Sequence, residues 1–316
     1  MTATIQDRWV APSAEALAAV PNHSRQPRDP THELFGNPPK FIGQILSADS
    51  TLKQGKDGWS APARFAFVAS IALAVLFLIY LAARQVGPGT NITVWLIGGM
   101  FGLLIVFVAI GKTGFTAQSN YVGSERLYSV SVAGNRQNPL KEQSLQFADA
   151  TELHVAQTRH YKNGAYQGTE CSYAWNNADR KTLFAFRGWH HGGDKLPEPG
   201  HPYHFALAGE IAWSVYYLPV VERQLRQEGA VIFPIDSRRS VRVAPGFMEF
   251  HFGDEPQRIN IEDIARFSLH GGEFSFKHKD ARWYNREGKY KFPYASMANA
   301  KVFLLACDRL LGCQFS

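Results

Sequence analysis

Two uninterrupted apolar runs divide the chain. Phe65 to Ala83 reads FAFVASIALAVLFLIYLAA and Ile92 to Gly111 reads ITVWLIGGMFGLLIVFVAIG; neither contains a charge, and Arg64, Arg84 and Lys112 stand at their borders. At about 1.5 Å per residue, helices of this length cross a hydrocarbon core of about 30 Å, where only a helix satisfies its own backbone. The pattern predicts a transmembrane α-helical hairpin within residues 61–112, with spans 65–83 and 92–111. Only 84–91 joins the spans, so both long flanks are expected on one side. Lys53, Lys56 and Arg64 precede the first span, Lys112 and Arg126 follow the second, and Arg84 is the one cation of the loop. The positive-inside bias therefore puts both termini in the cytoplasm, on the inner (cytoplasmic) membrane of the cell. The depth of the first run in the chain argues against a cleaved signal peptide. Gly98 and Gly102 form a G-x-x-x-G pair that admits another helix closely, either the first span or a second copy in a homo-oligomer. No ionisable group interrupts either run, which removes the usual basis for a channel or transporter.

Residues 1–60 are rich in Pro, Ala, Ser and Gln, as in PNHSRQPRDP (21–30), and are expected to form a disordered cytoplasmic tail carrying short apolar patches at 14–20 and 40–46. Beyond the apolar runs an element recurs. LQFADATELHV (145–155) and INIEDIARFSL (259–269) match in their apolar positions and in Asp149 and Asp263, at a constant offset of 114. Each reads as a strand, a turn bearing the aspartate, and a second strand. Around the second copy, strands are expected at 240–244, 247–252, 258–261, 273–277 and 281–284, then a helix over 295–311; the first copy closes with a helix including 211–225, where Pro219 marks a kink or a start.

Strands, the aspartate-bearing element, a hairpin and one C-terminal helix resemble the pleckstrin-homology-like (PH-like) superfold of bacterial PH and GRAM-type domains. The doubled unit behind a two-helix hairpin is similar to uncharacterised bacterial membrane families of this kind. The resemblance implies an α+β chain: a transmembrane hairpin followed by two PH-like β-barrel or sandwich domains, 114–228 and 229–316, each closed by a C-terminal helix. The first departs from the pattern by an insertion at about 187–203. What the resemblance implies for activity is binding of a lipid headgroup, a peptide or a protein.

Composition narrows the chemistry. The 316 residues carry 33 Lys and Arg against 27 Asp and Glu, spread along the chain, an excess too mild for a nucleic-acid partner and compatible with an anionic leaflet. Three cysteines without a C-x-x-C fit a reducing compartment. IGKTG at 110–114 lacks the first glycine of a phosphate-binding loop, which is Val106 here. No nucleophile elbow or catalytic carboxylate pair is recognisable, so no catalytic residue, cofactor or metal ligand is assigned. Two clusters remain. His190, His191, His201 and His204, with Asp194, stand in WHHGGDKLPEPGHPYH, either as solvated loop histidines or as the site of a membrane-tethered enzyme or metal sensor. Lys277, Lys279, Arg282, Trp283, Arg286, Lys289 and Lys291 gather cations and an aromatic residue in one hairpin, either as an ordinary solvated face or as a surface for lipid or a partner. The leading expectation is a non-enzymatic membrane adaptor whose partners are membrane lipids and a protein of a membrane complex.

Overall fold

The computed structural model describes residues 17, 19–55, 58–85, 91–112, 114–136, 140–192, 195–282 and 288–313. It is mixed α/β and its sheets are antiparallel. Two units follow the same order of elements. In the first, β1 (Ile45–Ser50), β2 (Thr116–Gly123), β3 (Arg126–Ala133) and β4 (Lys141–Gln146) form a four-stranded sheet in that order. A 3-10 turn at Phe147–Asp149 leads to a three-stranded sheet of β5 (Glu152–Lys162), β6 (Ala165–Asn176) and β7 (Thr182–His190). Two helices, α1 (Ala61–Gln85) and α2 (Asn91–Lys112), run between β1 and β2, and α3 (Tyr203–Glu228) closes the unit.

The second unit repeats the scheme with β8 (Val231–Pro234), β9 (Ser240–Ala244), β10 (Phe247–His251) and β11 (Gln257–Asn260), a 3-10 turn at Ile261–Asp263, then β12 (Ile264–His270), β13 (Glu273–His278) and β14 (Lys289–Pro293). Helix α4 (Ala300–Leu311) ends it. Both aspartate-bearing elements thus take one course, a strand, a 3-10 turn and a strand.

Alternation builds the cores. On β13, Phe274 and Phe276 point inward and pair with Phe292 and Tyr290 of β14 and with Leu269 and Phe267 of β12. Phe276 lies on Phe267 at 4.1 Å and Tyr290 on Phe250 at 4.0 Å, each buried ring contributing about 1.5–3 kcal/mol. Helix α4 presents Ala300, Phe303, Cys307 and Leu311 to this core at helical spacing. It stops at Gly312, whose left-handed backbone sends its N–H to Asp308 O at 3.0 Å. Asn299 joins the units. Its Oδ1 accepts from Leu153 N and Trp213 Nε1, both at 2.9 Å, and its Nδ2 donates to Thr151 O at 2.9 Å.

Several expectations are corrected. Residues 17 and 19–55 are not a disordered tail: β1 pairs with β2, and Leu17, Leu34, Phe35, Ile42 and Leu52 are buried. Tyr121 donates to Phe35 O and Gly36 O, while Phe35 N donates to Ser119 Oγ. The polar average of the segment hides widely spaced apolar anchors, and the strand finishes a sheet that otherwise exposes the edge of β2. The first unit therefore begins before the apolar runs rather than at 114. The third strand expected at 281–284 is β14, because 279–282 turn instead of extending, with 283–287 outside the described residues. The last helix begins at Ala300 rather than 295, since Tyr294–Ser296 is a 3-10 turn. Pro219 lies inside α3, at the expense of one backbone hydrogen bond. The expected insertion reduces to the loop 191–202, since β7 continues to His190 and α3 starts at Tyr203.

Among the described residues one helix, Pro62–Gln85, is long and apolar enough to cross a membrane, its 18-residue apolar centre having mean hydropathy 2.7 and 6% of its residues buried; the apolar stretch Trp95–Ile110 is shorter. The two pack against each other in opposite directions. Gly98 faces Ile79 and Gly102 faces Val75, so closely that a Cβ would stand 2.9 Å and 2.6 Å from those side chains. The close approach that the G-x-x-x-G pair permits is made here by the chain's own α1.

Candidate functional site

The three-stranded sheet of the second unit has an inner face of aromatic rings and therefore an outer face set by the intervening residues. Register places Arg266 of β12 opposite Lys277 of β13, and Lys277 opposite Lys289 of β14. Three cations stand in line across three strands. Ser275 and Lys291 form the next pair on the same face. Like charges directly opposite each other on a sheet are destabilising, by about 0.2–1 kcal/mol per pair, and an anion laid over the row removes that penalty. Among the described residues no carboxylate pairs with Arg266 or Lys277, and both are exposed.

The neighbouring sheet of the same unit is arranged differently. There Glu249 of β10 stands between Arg242 of β9 and Arg258 of β11, so the charges alternate across the strands. Arg258 lies 3.6 Å from the Phe247 ring centroid, Arg242 donates to Glu228 O at the end of α3, and Arg239 is tied to Asp236 at 2.7 Å. These arginines serve the fold.

The hairpin cations expected from the sequence divide accordingly. Lys277 and Lys289 belong to the row, and Lys291 sits beside it, 3.6 Å from Glu273. Lys279 reaches Asp263 at 2.5 Å, the aspartate of the repeated element; this contact holds the Asp263 carboxyl below and the Lys279 ammonium above their ordinary ranges. Arg282 is exposed on the turn after β13. Trp283 and Arg286 lie outside the described residues. Tyr290, between two of these lysines, is a core ring stacked on Phe250. Arg266 escaped the sequence reading because it sits in the repeated element, far from the cluster along the chain; cross-strand register is the signal that finds it. A cleft of about 520 Å³ beside the row is lined by Phe252, Asp254, Glu255, Gln257 and Lys289. Its two carboxylates disfavour an anion there, so the flat face is the better anion surface.

The histidines do not converge on a metal. His191 Nδ1 contacts Gln167 O at 2.8 Å, His201 Nε2 contacts Trp189 O at 3.2 Å, and His204 Nε2 contacts Pro197 O at 2.8 Å. These imidazoles knit the loop 191–202 to β6, β7 and itself. Among the described residues no group of three His, Cys, Asp or Glu is placed to hold a metal ion. Asp194 is outside them. His190 is buried, and burial lowers its pKa. His23, from the N-terminal segment, is buried against Phe205 with Nδ1 2.8 Å from Ser47 Oγ, and desolvation pushes its pKa down to about 3. The cysteines are free; Cys171 and Cys307 are buried, and burial raises both thiols.

No family model matches the chain, and no curated protein matches it in sequence.

Proposed function

We propose that the chain is a non-enzymatic adaptor anchored in the inner membrane by α1 and α2, displaying two PH-like units in the cytoplasm, the second of which lays its cationic face on anionic lipid or on an acidic partner at the bilayer surface. The observation that carries the reading is the apolar belt on the helix pair. Leu73, Phe77, Phe101, Leu103 and Phe107 are each at least 60% exposed, an arrangement that water penalises and a hydrocarbon phase does not. Both helices lie between β1 and β2 of one folded unit, which supports the reading that the two flanks share a side of the membrane. Four strands, then three, then a helix, twice over, supports the PH-like reading, and the Arg266, Lys277, Lys289 row supports an anion-facing surface. Basic surface close to an anionic leaflet gains about 1 kcal/mol per cation.

The test uses the full chain in nanodiscs. Backbone hydrogen exchange of β13 and β14 is expected to slow in phosphatidylglycerol discs relative to phosphatidylcholine discs, and Lys277→Glu with Lys289→Glu is expected to abolish the difference. Equal exchange in both discs would refute the lipid-facing surface. Release of the wild-type chain from membranes by alkaline carbonate would refute the anchor.

A further inference from the structure

A cavity of about 310 Å³ opens where the helix pair meets the first unit. Three separate segments build it: Trp59, just before α1, with Arg64, Phe65 and Val68 from its start, Ile110 from the end of α2, and Asn135 from the turn after β3. The Arg64 guanidinium bridges the two helices by donating from Nη2 to Ile110 O, in the last turn of α2, at 2.9 Å. That bond ties a cation of the cavity lining to the end of the second helix. Trp59 stands beside it, 46% exposed, its ring 4.9 Å from that of Phe67. Next to the cavity, Gly58 has a left-handed backbone, and a Cβ there would come within 2.7 Å of the Phe115 ring and 2.9 Å of Gly134 O.

Asn135 belongs to the folded unit and Arg64 to the first turn of α1, whereas Phe65 and Ile110 are exposed on the outer surface of the helices. A cation and an indole at the level where an apolar belt begins match a group that is anionic at one end and hydrocarbon at the other. We propose that this cavity binds one anionic phospholipid, its phosphate on Arg64 and Asn135 and one acyl chain along Phe65, Val68 and Ile110. The proposal rests on the membrane reading above and adds a specific lipid site to it. This site is distinct from the flat cationic face of the second unit, because it is lined by the helix pair and the first unit.

Native mass spectrometry of the full detergent-solubilised chain, titrated with dioleoyl phosphatidylglycerol, tests it. The wild type is expected to retain one lipid through detergent removal. Arg64→Gln is expected to weaken that binding about tenfold, the usual effect of losing a charge-assisted hydrogen bond. Val68→Trp fills the apolar floor without touching Arg64 and is expected to do the same. Arg84→Gln, at the far end of the pair, is the control and should retain the lipid. Millimolar inorganic phosphate should leave the complex intact; displacement by phosphate would assign the cavity to a free anion and overturn the lipid assignment. Retention unchanged in both Arg64→Gln and Val68→Trp also overturns it. Carbonate extraction of the same membranes separates the two failures: a chain that resists extraction but shows no Arg64-dependent lipid sinks the cavity alone, and a chain that is released sinks the anchor and the cavity with it.

Discussion

The two units share a plan and differ on the outer face of the three-stranded sheet. In the second, Arg266, Lys277 and Lys289 line up; in the first, the same row is Glu152, Asn176 and Thr182, with Glu152 3.2 Å from His154. The residues one step along, Phe267 and Leu153, are both buried. The cores are interchangeable in kind while the solvent faces are not, so the interior specifies the shared fold and the exterior separates the roles. The first unit also carries what the second lacks: the helix pair, the wrapped segment 19–55 and the imidazole loop.

The comparison is broken most severely at the joint. Asn299→Leu strands Trp213 Nε1, Leu153 N and Thr151 O in a buried interface, and is expected to cost about 3–5 kcal/mol and to split one thermal unfolding transition into two, read by calorimetry. A single unshifted transition would mean that the units are not coupled through this residue. Gly102→Leu forces a side chain into Val75 and is expected to cost about 1–3 kcal/mol, seen as a lowered melting temperature in detergent.

Acid should act on the first unit before the second. The His23 pKa in the fold, about 3, lies below the ordinary value of 6.5, so the unfolded state takes up the proton first. Stability is therefore full above pH 6.5 and declines as the pH falls toward 3, by about 1.4 kcal/mol per pH unit well below the unfolded pKa. Hydrogen exchange of β1 should accelerate over that window, and His23→Gln should flatten the dependence. Reversing Lys277 and Lys289 is expected to lower affinity for anionic lipid at least about thirtyfold, at about 1 kcal/mol per cation lost, whereas Glu152→Lys in the first unit should raise affinity. Smallest of all is Lys279→Gln, an exposed pair with Asp263, for which the least stability loss of the series is expected by chemical denaturation.

Legibility in the sequence followed the range of the interactions. The apolar runs and the aspartate-bearing elements are local patterns, and each appears at its expected place as a helix or as a strand, 3-10 turn and strand. Strand β1 was invisible because its partner β2 lies beyond both helices, and alternation in ILSADS is weak. Arg266 was invisible for the same reason: its charged neighbours are cross-strand, not sequential. The role of Gly98 and Gly102 needed the geometry, since spacing alone fits either an internal or an external helix.

The placement of α1 and α2 between β1 and β2 constrains biosynthesis. Strand β1 leaves the ribosome first and must wait through both helices until Thr116–Gly123 emerges. At about 5–20 residues per second that delay is several seconds, during which the segment 19–55 has no sheet to join. The first unit can close only after the oily pair has been made, so a ribosome stalled between residues 85 and 116 would display an unpaired strand to whatever chaperone or protease is nearby.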